Sequence, residues 1–169
     1  MDDLIQGLKA GDGRAFERLV QEYGDRVHRY VTRIAGLEGA EDLTQEVFLR
    51  VYRAIGSFEP SGGLAPWIFT IATHLGVDQL RKRQARPEAP PPVDRRGDPV
   101  EARELRETLL EAIAGLPEDQ RRVFHLREEA GLSFREIAQV LRCPPGTALW
   151  RMHAAMTRLR KSLKAHLEK

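Results

Sequence analysis

The chain has very little of what extracellular or catalytic small proteins rely on. Of 169 residues one is a cysteine, Cys143, so no intrachain disulfide can form and no paired-cysteine zinc site exists. Aromatic residues make up only 7%. No apolar run approaches the length of a bilayer span, so membrane insertion is not expected. Charge of one sign is also lacking. Lys and Arg total 27 against 25 Asp and Glu, a net charge of +2, so any nucleic-acid contact must come from local basic clusters rather than a global excess. The chain starts Met1, Asp2, Asp3 and continues as an amphipathic segment, unlike the basic-then-apolar layout of a secretory signal. A cytoplasmic location is expected. The P-loop, HExxH and G-x-S-x-G patterns are missing, and the five histidines stand at no metal-ligand spacing from one another or from Cys143. No enzyme, no cofactor and no metal is expected.

What is present is helical periodicity, interrupted once. The stretch RPEAPPPVDRRGDP, residues 86–99, holds three consecutive prolines at Pro90 to Pro92, which lack amide protons and favour an extended strand. It reads as a linker between two halves. Before it, Asp12 can cap a helix whose apolar residues Phe16, Leu19, Val20, Tyr23, Val27, Tyr30, Val31 and Ile34 recur at three and four, with a break at Gly36 and Gly39. A second helix spans about Ala40 to Ile55 with Leu43, Val47, Val51 and Ile55 inward. SFEPSGGLAP, Ser57 to Pro66, is rich in turn formers and reads as a loop. A third helix spans Trp67 to about Arg83, with Ile68, Ile71, Ala72, Leu75 and Leu80 inward and Thr70, Thr73, His74, Val77 and Asp78 outward.

After the linker, a helix from Val100 to Ala114 stops at Gly115, and Pro117 suits the opening of the next one. Ser133-Phe-Arg-Glu136 is a capping box, opening a brief helix to about Leu141. A tight turn follows, then a last helix from about Thr147. The small Ala138 allows a close crossing. Ser133 to His153 is therefore a helix-turn-helix pattern, and the basic residues Arg158, Arg160, Lys161 and Lys164 behind it can neutralise phosphates. The expected fold is all-α: two small helical domains joined by a Pro-rich linker, the second containing a helix-turn-helix. The boundaries are residues 1–85, linker 86–100 and residues 101–169.

At these residues the chain resembles the extracytoplasmic-function (ECF) family of bacterial RNA polymerase sigma factors. EDLTQEVFLRVYRAIGSF, Glu41 to Phe58, resembles their polymerase-binding helix. WIFTIATHLGVDQLRKR, Trp67 to Arg83, resembles the minus-ten-reading helix, and Leu116 to Arg160 resembles the minus-thirty-five domain. The resemblance covers nearly the whole chain in order. It implies an alternative sigma factor that binds core RNA polymerase and promoter DNA, with an anti-sigma factor expected as an inhibitory partner.

Carried over residue by residue, the polymerase-binding face is Asp42, Gln45, Glu46, Leu49, Arg50 and Arg53. The minus-ten contacts are Phe58, Gly62, Leu64, Trp67, Thr70, Thr73, His74, Asp78, Arg81 and Arg83, the loop residues trapping a base taken out of the stack. The helix-turn-helix contacts are Ser133, Arg135, Thr147, Leu149, Trp150, Arg151, His153 and Arg158. The chain departs from the family at Thr70, Thr73 and His74, where basic residues or an arginine–asparagine pair are common, at Leu64, usually phenylalanine, and at Leu149 and Trp150, apolar where a groove reader is normally polar. Two other readings stay open: a helix-turn-helix regulator that works without polymerase, and a degenerate sigma-like interaction protein that reads no promoter.

Overall fold

The computed structural model describes residues 2–85 and 100–167, and among them there is no strand. The first half holds α1 (Asp2–Lys9), α2 (Gly13–Ala35), α3 (Ala40–Ala54) and α4 (Leu64–Gln84), with short 3-10 turns at Ile55–Ser57 and Pro60–Gly62. The second holds α5 (Val100–Ala114), α6 (Glu118–Glu128), α7 (Phe134–Leu141) and α8 (Pro145–Leu167). The Pro-rich stretch of residues 86–99 lies outside the described residues.

Local chemistry sets most of the ends. The Asp12 carboxylate accepts from the Arg14 amide at the start of α2, and the Gly36 amide closes its end on the Thr32 carbonyl. Ser133 and Glu136 form the complete capping box at the start of α7. The turn between α7 and α8 passes through Arg142 in the left-handed region at φ 51°, which satisfies the carbonyls of Ala138 and Gln139. Two helices begin earlier than the turn formers suggested. α4 starts at Leu64 because Pro66 fits within the first turn, where its missing amide costs nothing, and α8 starts at Pro145 for the same reason. The amphipathic first residues form α1, which buries Leu4, Ile5 and Leu8.

α2 and α3 run antiparallel. Phe16 meets Tyr52 edge-on at 5.4 Å near one end, and the His28 ring lies 3.3 Å from the Thr44 hydroxyl near the other. α4 packs on both, and it comes close to α2 at Gly76, where an added Cβ would stand 3.2 Å from Ile34. In the second half α5, α6 and α8 enclose a small cluster of Leu116, Ala155 and Leu159.

The main core does not stop at the boundary between the halves. Leu19, Tyr30, Val47, Ile68 and Phe69 of the first half and Val123, Leu126, Leu132, Ile137 and Ala148 of the second belong to one buried apolar cluster. α7 packs on α4, and α6 packs on α2. The two halves share this interior, while the small cluster around Leu116 belongs to the second half alone.

Candidate functional site

On α3 the buried stripe is Ala40, Val47, Phe48 and Val51. The opposite stripe is the predicted partner face. Asp42, Gln45, Arg50 and Arg53 are exposed, and Glu46 is partly exposed and ion-paired one turn on to Arg50 at 2.9 Å. Leu49 is exposed among them. The sequence reading missed Tyr52, which is 54% exposed and leans on Phe16. Val20, one of the recurring apolar residues of the neighbouring α2, is exposed one turn from Phe16. Leu49 and Tyr52 are thus exposed on α3 among Asp42, Glu46 and Arg53, and Val20 is exposed on the helix paired with it. An exposed tyrosine was legible as an interface signal only once its face was known.

The segment before α4 behaves differently from an open loop. Phe58 is buried and its ring packs on Trp67 with centroids 4.8 Å apart; Leu64 is also buried. Trp67 remains partly exposed and Gly62 is exposed, beside Gln139 of α7. Gly63 has φ 81° and ψ 152°, a conformation essentially reserved for glycine, and it turns the chain into α4. The result is a packed apolar ledge on which Trp67 remains partly exposed.

Along α4, His74, Asp78 and Arg81 are exposed as expected, and Thr70 is partly exposed with its hydroxyl donating to the Pro66 carbonyl at 2.7 Å. Thr73 does not face outward. It is buried, donates to the Phe69 carbonyl at 2.6 Å and lies 2.8 Å from the Tyr30 hydroxyl. Arg83 is likewise occupied: it donates to the Ala35 carbonyl at the end of α2 and pairs with Glu38 at 3.6 Å. Arg81 and Lys82 are thus the exposed cations of the cluster.

In the helix-turn-helix, Ser133 is used by its capping box. Arg135, His153 and Arg158 are exposed, and Thr147 is partly exposed. Arg151 pairs with Asp119 of α6 at 3.1 Å, so its charge is partly spent inside the domain. Leu149 and Trp150 are 54% and 62% exposed at the start of α8, where a recognition helix enters a groove. They are apolar groups held out to solvent by a well-packed helix whose Ala148, Ala155 and Leu159 face inward.

Contacts between the halves are polar as well as apolar. The Arg26 guanidinium donates twice to the Ala130 carbonyl, through Nε at 2.7 Å and through Nη2, while stacking over the rings of Tyr23 at 5.2 Å and Phe69 at 5.5 Å. Arg33 pairs with Glu129 at 2.9 Å and Arg29 approaches the same carboxylate at 3.9 Å. Nearby, a groove of about 820 Å³ opens between Ile34, Leu37, Val77 and Leu80 on one wall and Leu109, Ile113 and Phe124 on the other. No group of histidine, cysteine and acidic side chains among the described residues could hold a metal ion, and no described helix is long and apolar enough to cross a membrane.

Comparison with known proteins gives a consistent picture. Residues 19–86 match the Sigma-70 region 2 family and residues 106–159 match the Sigma-70 region 4 family. The chain is 32% identical to the ECF RNA polymerase sigma factor SigW of Bacillus subtilis, over 95% of each chain. It is 30% identical to the RNA polymerase sigma-H factor of Pseudomonas aeruginosa, over 95% of this chain and 92% of that one. It is 32% identical to the ECF RNA polymerase sigma-E factor of Escherichia coli K12, over 90% and 88%. Its fold is that of CnrH in complex with the cytosolic domain of CnrY, with a TM-score of 0.77 at 23% identity over 96% of each chain. The sigma factor RpoE of Bartonella quintana, solved with the anti-sigma factor NepR, superposes with a TM-score of 0.68 at 24% identity, over 88% of this chain and 96% of that one. With both halves matched in order, and relatives of this identity aligned from end to end, the chain belongs to the ECF family of RNA polymerase sigma factors.

Proposed function

We propose that the chain works in the cytoplasm as an alternative sigma factor, docking on core RNA polymerase through the outer face of α3 and directing it to promoters read by α4 and α8. The observation that carries this reading is the outer face of α3, where Asp42, Glu46, Arg50 and Arg53 stand with the exposed Leu49 and Tyr52. Such a face supplies apolar area for affinity and charge for steering and register. Asp42, Gln45, Glu46, Leu49, Arg50 and Arg53 are its contacts, with Tyr52 added.

The minus-ten surface is built from Trp67, Gly62, Thr70, His74, Asp78 and Arg81. A base leaving the stack needs an aromatic or apolar surface to replace the stacking it loses. The Phe58–Trp67 pair supplies one, with Phe58 and Leu64 acting as the packing that holds Trp67. Thr73 and Arg83 contribute by positioning α4 rather than by touching DNA. Upstream, Arg135, Thr147, Leu149, Trp150, His153 and Arg158 approach the minus-thirty-five element, with Leu149 and Trp150 against thymine methyl groups. Ser133 and Arg151 hold the motif in shape.

None of these roles calls for catalysis by the chain itself. The chain's solved neighbours are described as complexes with CnrY and with an anti-sigma factor. By likeness, an anti-sigma partner is proposed here too, and the apolar groove between the halves is surface available to it.

A second reading is favoured by one feature. Two large apolar side chains at the groove-reading end of α8, with Arg151 tied to Asp119, would suit a protein partner better than a duplex. One assay separates the readings. Core polymerase, the chain and a promoter library are mixed and start-site-specific transcripts are scored. Specific initiation supports the sigma-factor reading; core binding without initiation supports the interaction protein; tight DNA binding without core supports a free-standing regulator.

A further inference from the structure

The reading end of α8 carries a single cation, and a neighbouring helix holds it. Between Pro145 and Thr157 the only lysine or arginine is Arg151; the next cation along the helix is Arg158, about two turns on. Each residue turns an α-helix by about 100°. Trp150 therefore stands across the helix from the buried stripe of Ala148, Ala155 and Leu159, while Arg151 lies on the flank beside α6. Its Nε is 3.1 Å from Oδ2 of Asp119, and only 25% of the side chain is exposed.

Asp119 is itself fixed in place. Its other oxygen, Oδ1, accepts from the Gln120 amide at 3.0 Å in the first turn of α6. That helix opens on Pro117, which provides no side-chain cap, so its first amides carry partial positive charge and favour a carboxylate beside them. One carboxylate thus spans the start of α6 and the flank of α8, two helices that pack on each other. Isolated surface pairs are weak largely because two long side chains must be ordered to make them. Here the short Asp119 is held by its own helix and Arg151 is mostly covered, so little ordering is left to do. The two chemistries at this end of α8 would read different bases. A free arginine on a recognition helix makes its commonest specific contact with O6 and N7 of guanine, whereas apolar side chains meet the 5-methyl group of thymine. Leu149 and Trp150 are exposed, and the cation beside them is drawn aside.

We propose that Asp119 is a positioning residue that sets base preference. By holding Arg151 against α6 it keeps guanine recognition out of the reading end of α8, and leaves the upstream element to be recognised through thymine methyl groups by Leu149 and Trp150. Asp119 touches no base and acts only through Arg151. This role rests on the promoter-reading role of α8 proposed above.

The test is transcription by core polymerase and the chain from a promoter library randomised upstream, with a urea melt of each variant to confirm that it folds. In Asp119→Ala, guanine should gain roughly tenfold over the parent at one upstream position, the scale of a bidentate arginine contact. Asp119→Asn keeps the shape of the side chain and an oxygen for the Gln120 amide, and should shift preference the same way by less. Adding Arg151→Ala to Asp119→Ala should abolish the guanine gain. With the parent chain, deoxyuridine in place of upstream thymine should lower initiation roughly fourfold for each contacted methyl, the worth of one buried carbon. An unchanged base profile in both Asp119 variants overturns the assignment. A uniform rise in activity without a guanine preference does so too, since it reports only the loss of a negative charge near the duplex. The assignment also falls if the parent already prefers guanine and loses that preference in Arg151→Ala, or if thymine and deoxyuridine templates serve it equally. If the parent yields no specific transcript from any promoter, the initiation reading is what fails. Asp119 is then decided by selecting duplexes from a random pool with the chain alone. The same guanine gain is expected there, and equal profiles, or no duplex binding by either protein, overturn it.

Discussion

The hydroxyl of Tyr30 on α2 lies 2.8 Å from that of Thr73 on α4, wholly inside the core. Thr73 spends its own proton on the Phe69 carbonyl, so Tyr30 is the donor of the pair. Burial drives the Tyr30 phenol far above its ordinary range, which keeps it protonated and able to donate at any working pH. Replacing Tyr30 by Phe removes that donor and leaves a Thr73 lone pair buried without a partner. The expected cost is about 1–2 kcal/mol in chemical denaturation, with affinity for core polymerase unchanged.

His125 makes the stability of the chain depend on pH. It is buried, its Nδ1 has no hydrogen-bond partner, and burial pushes its pKa from 6.5 down to about 4, against the opposing pull of Glu129 and with help from Arg33 and Arg121. The folded state thus favours neutral imidazole, while the unfolded chain takes up a proton near pH 6.5. The contribution is complete above pH 6.5, falls as pH drops from 6.5 toward 4 and changes no further below that. Denaturation midpoints at pH 7.5 and 4.5 should differ less in His125→Phe than in the parent. An equal difference would remove His125 as the cause.

Reversal of Asp42 and Glu46 to lysine should weaken binding to core polymerase by a factor of about ten or more, since like charges at a docking face oppose both approach and register. Asp42 is exposed and Glu46 is partly exposed and paired with Arg50, so the lost pair and the helix dipole should together cost the fold no more than about 1–2 kcal/mol. Titration of labelled core with the double variant measures the first effect, and a urea melt the second. Affinity equal to that of the parent would contradict the docking face.

Gly63 offers a test of the ledge before α4. Its φ of 81° with ψ 152° should make Gly63→Ala cost about 1–3 kcal/mol, or force the turn to rearrange. Promoter opening, followed by permanganate reactivity of unstacked thymines, should suffer more than core binding. A variant that melts DNA normally would show that Trp67 needs no fixed ledge.

Trp150 is solvent-exposed, so Trp150→Ala should leave stability within about 0.5 kcal/mol of the parent. If it meets thymine methyl groups, discrimination at one position of the upstream element should drop roughly tenfold, the scale of a single base contact. Transcription from a library randomised upstream reads this directly. Unaltered selectivity would take Trp150 off the DNA surface.

Much of this architecture could be read from residue order. The Asp12 cap, the Ser133–Glu136 box and the stripe of Val47 and Val51 are local signals, set within one or two turns, and each stands where its spacing put it. α4 was harder because it is buried on more than one side. It meets α2, α3 and α7, so Phe69, Thr73 and Gly76 are enclosed although they do not share the stripe of Ile68, Ala72 and Leu75. A single helical period cannot show which second face will be covered. Arg83 and Arg151 were read as free cations for a similar reason: their partners, Ala35 with Glu38 and Asp119, lie in other helices. The joint core was the least legible feature, since an apolar residue on α6 or α7 looks the same whether it faces its own half or the other.

That shared interior places an unusual demand on the side chains where α4 meets α7. Phe69 of α4 and Ile137 of α7 lie in one buried cluster, so a polar group introduced on either helix takes cover from the other as well. A substitution along this seam is therefore felt in both halves at once, although in residue order it belongs to only one.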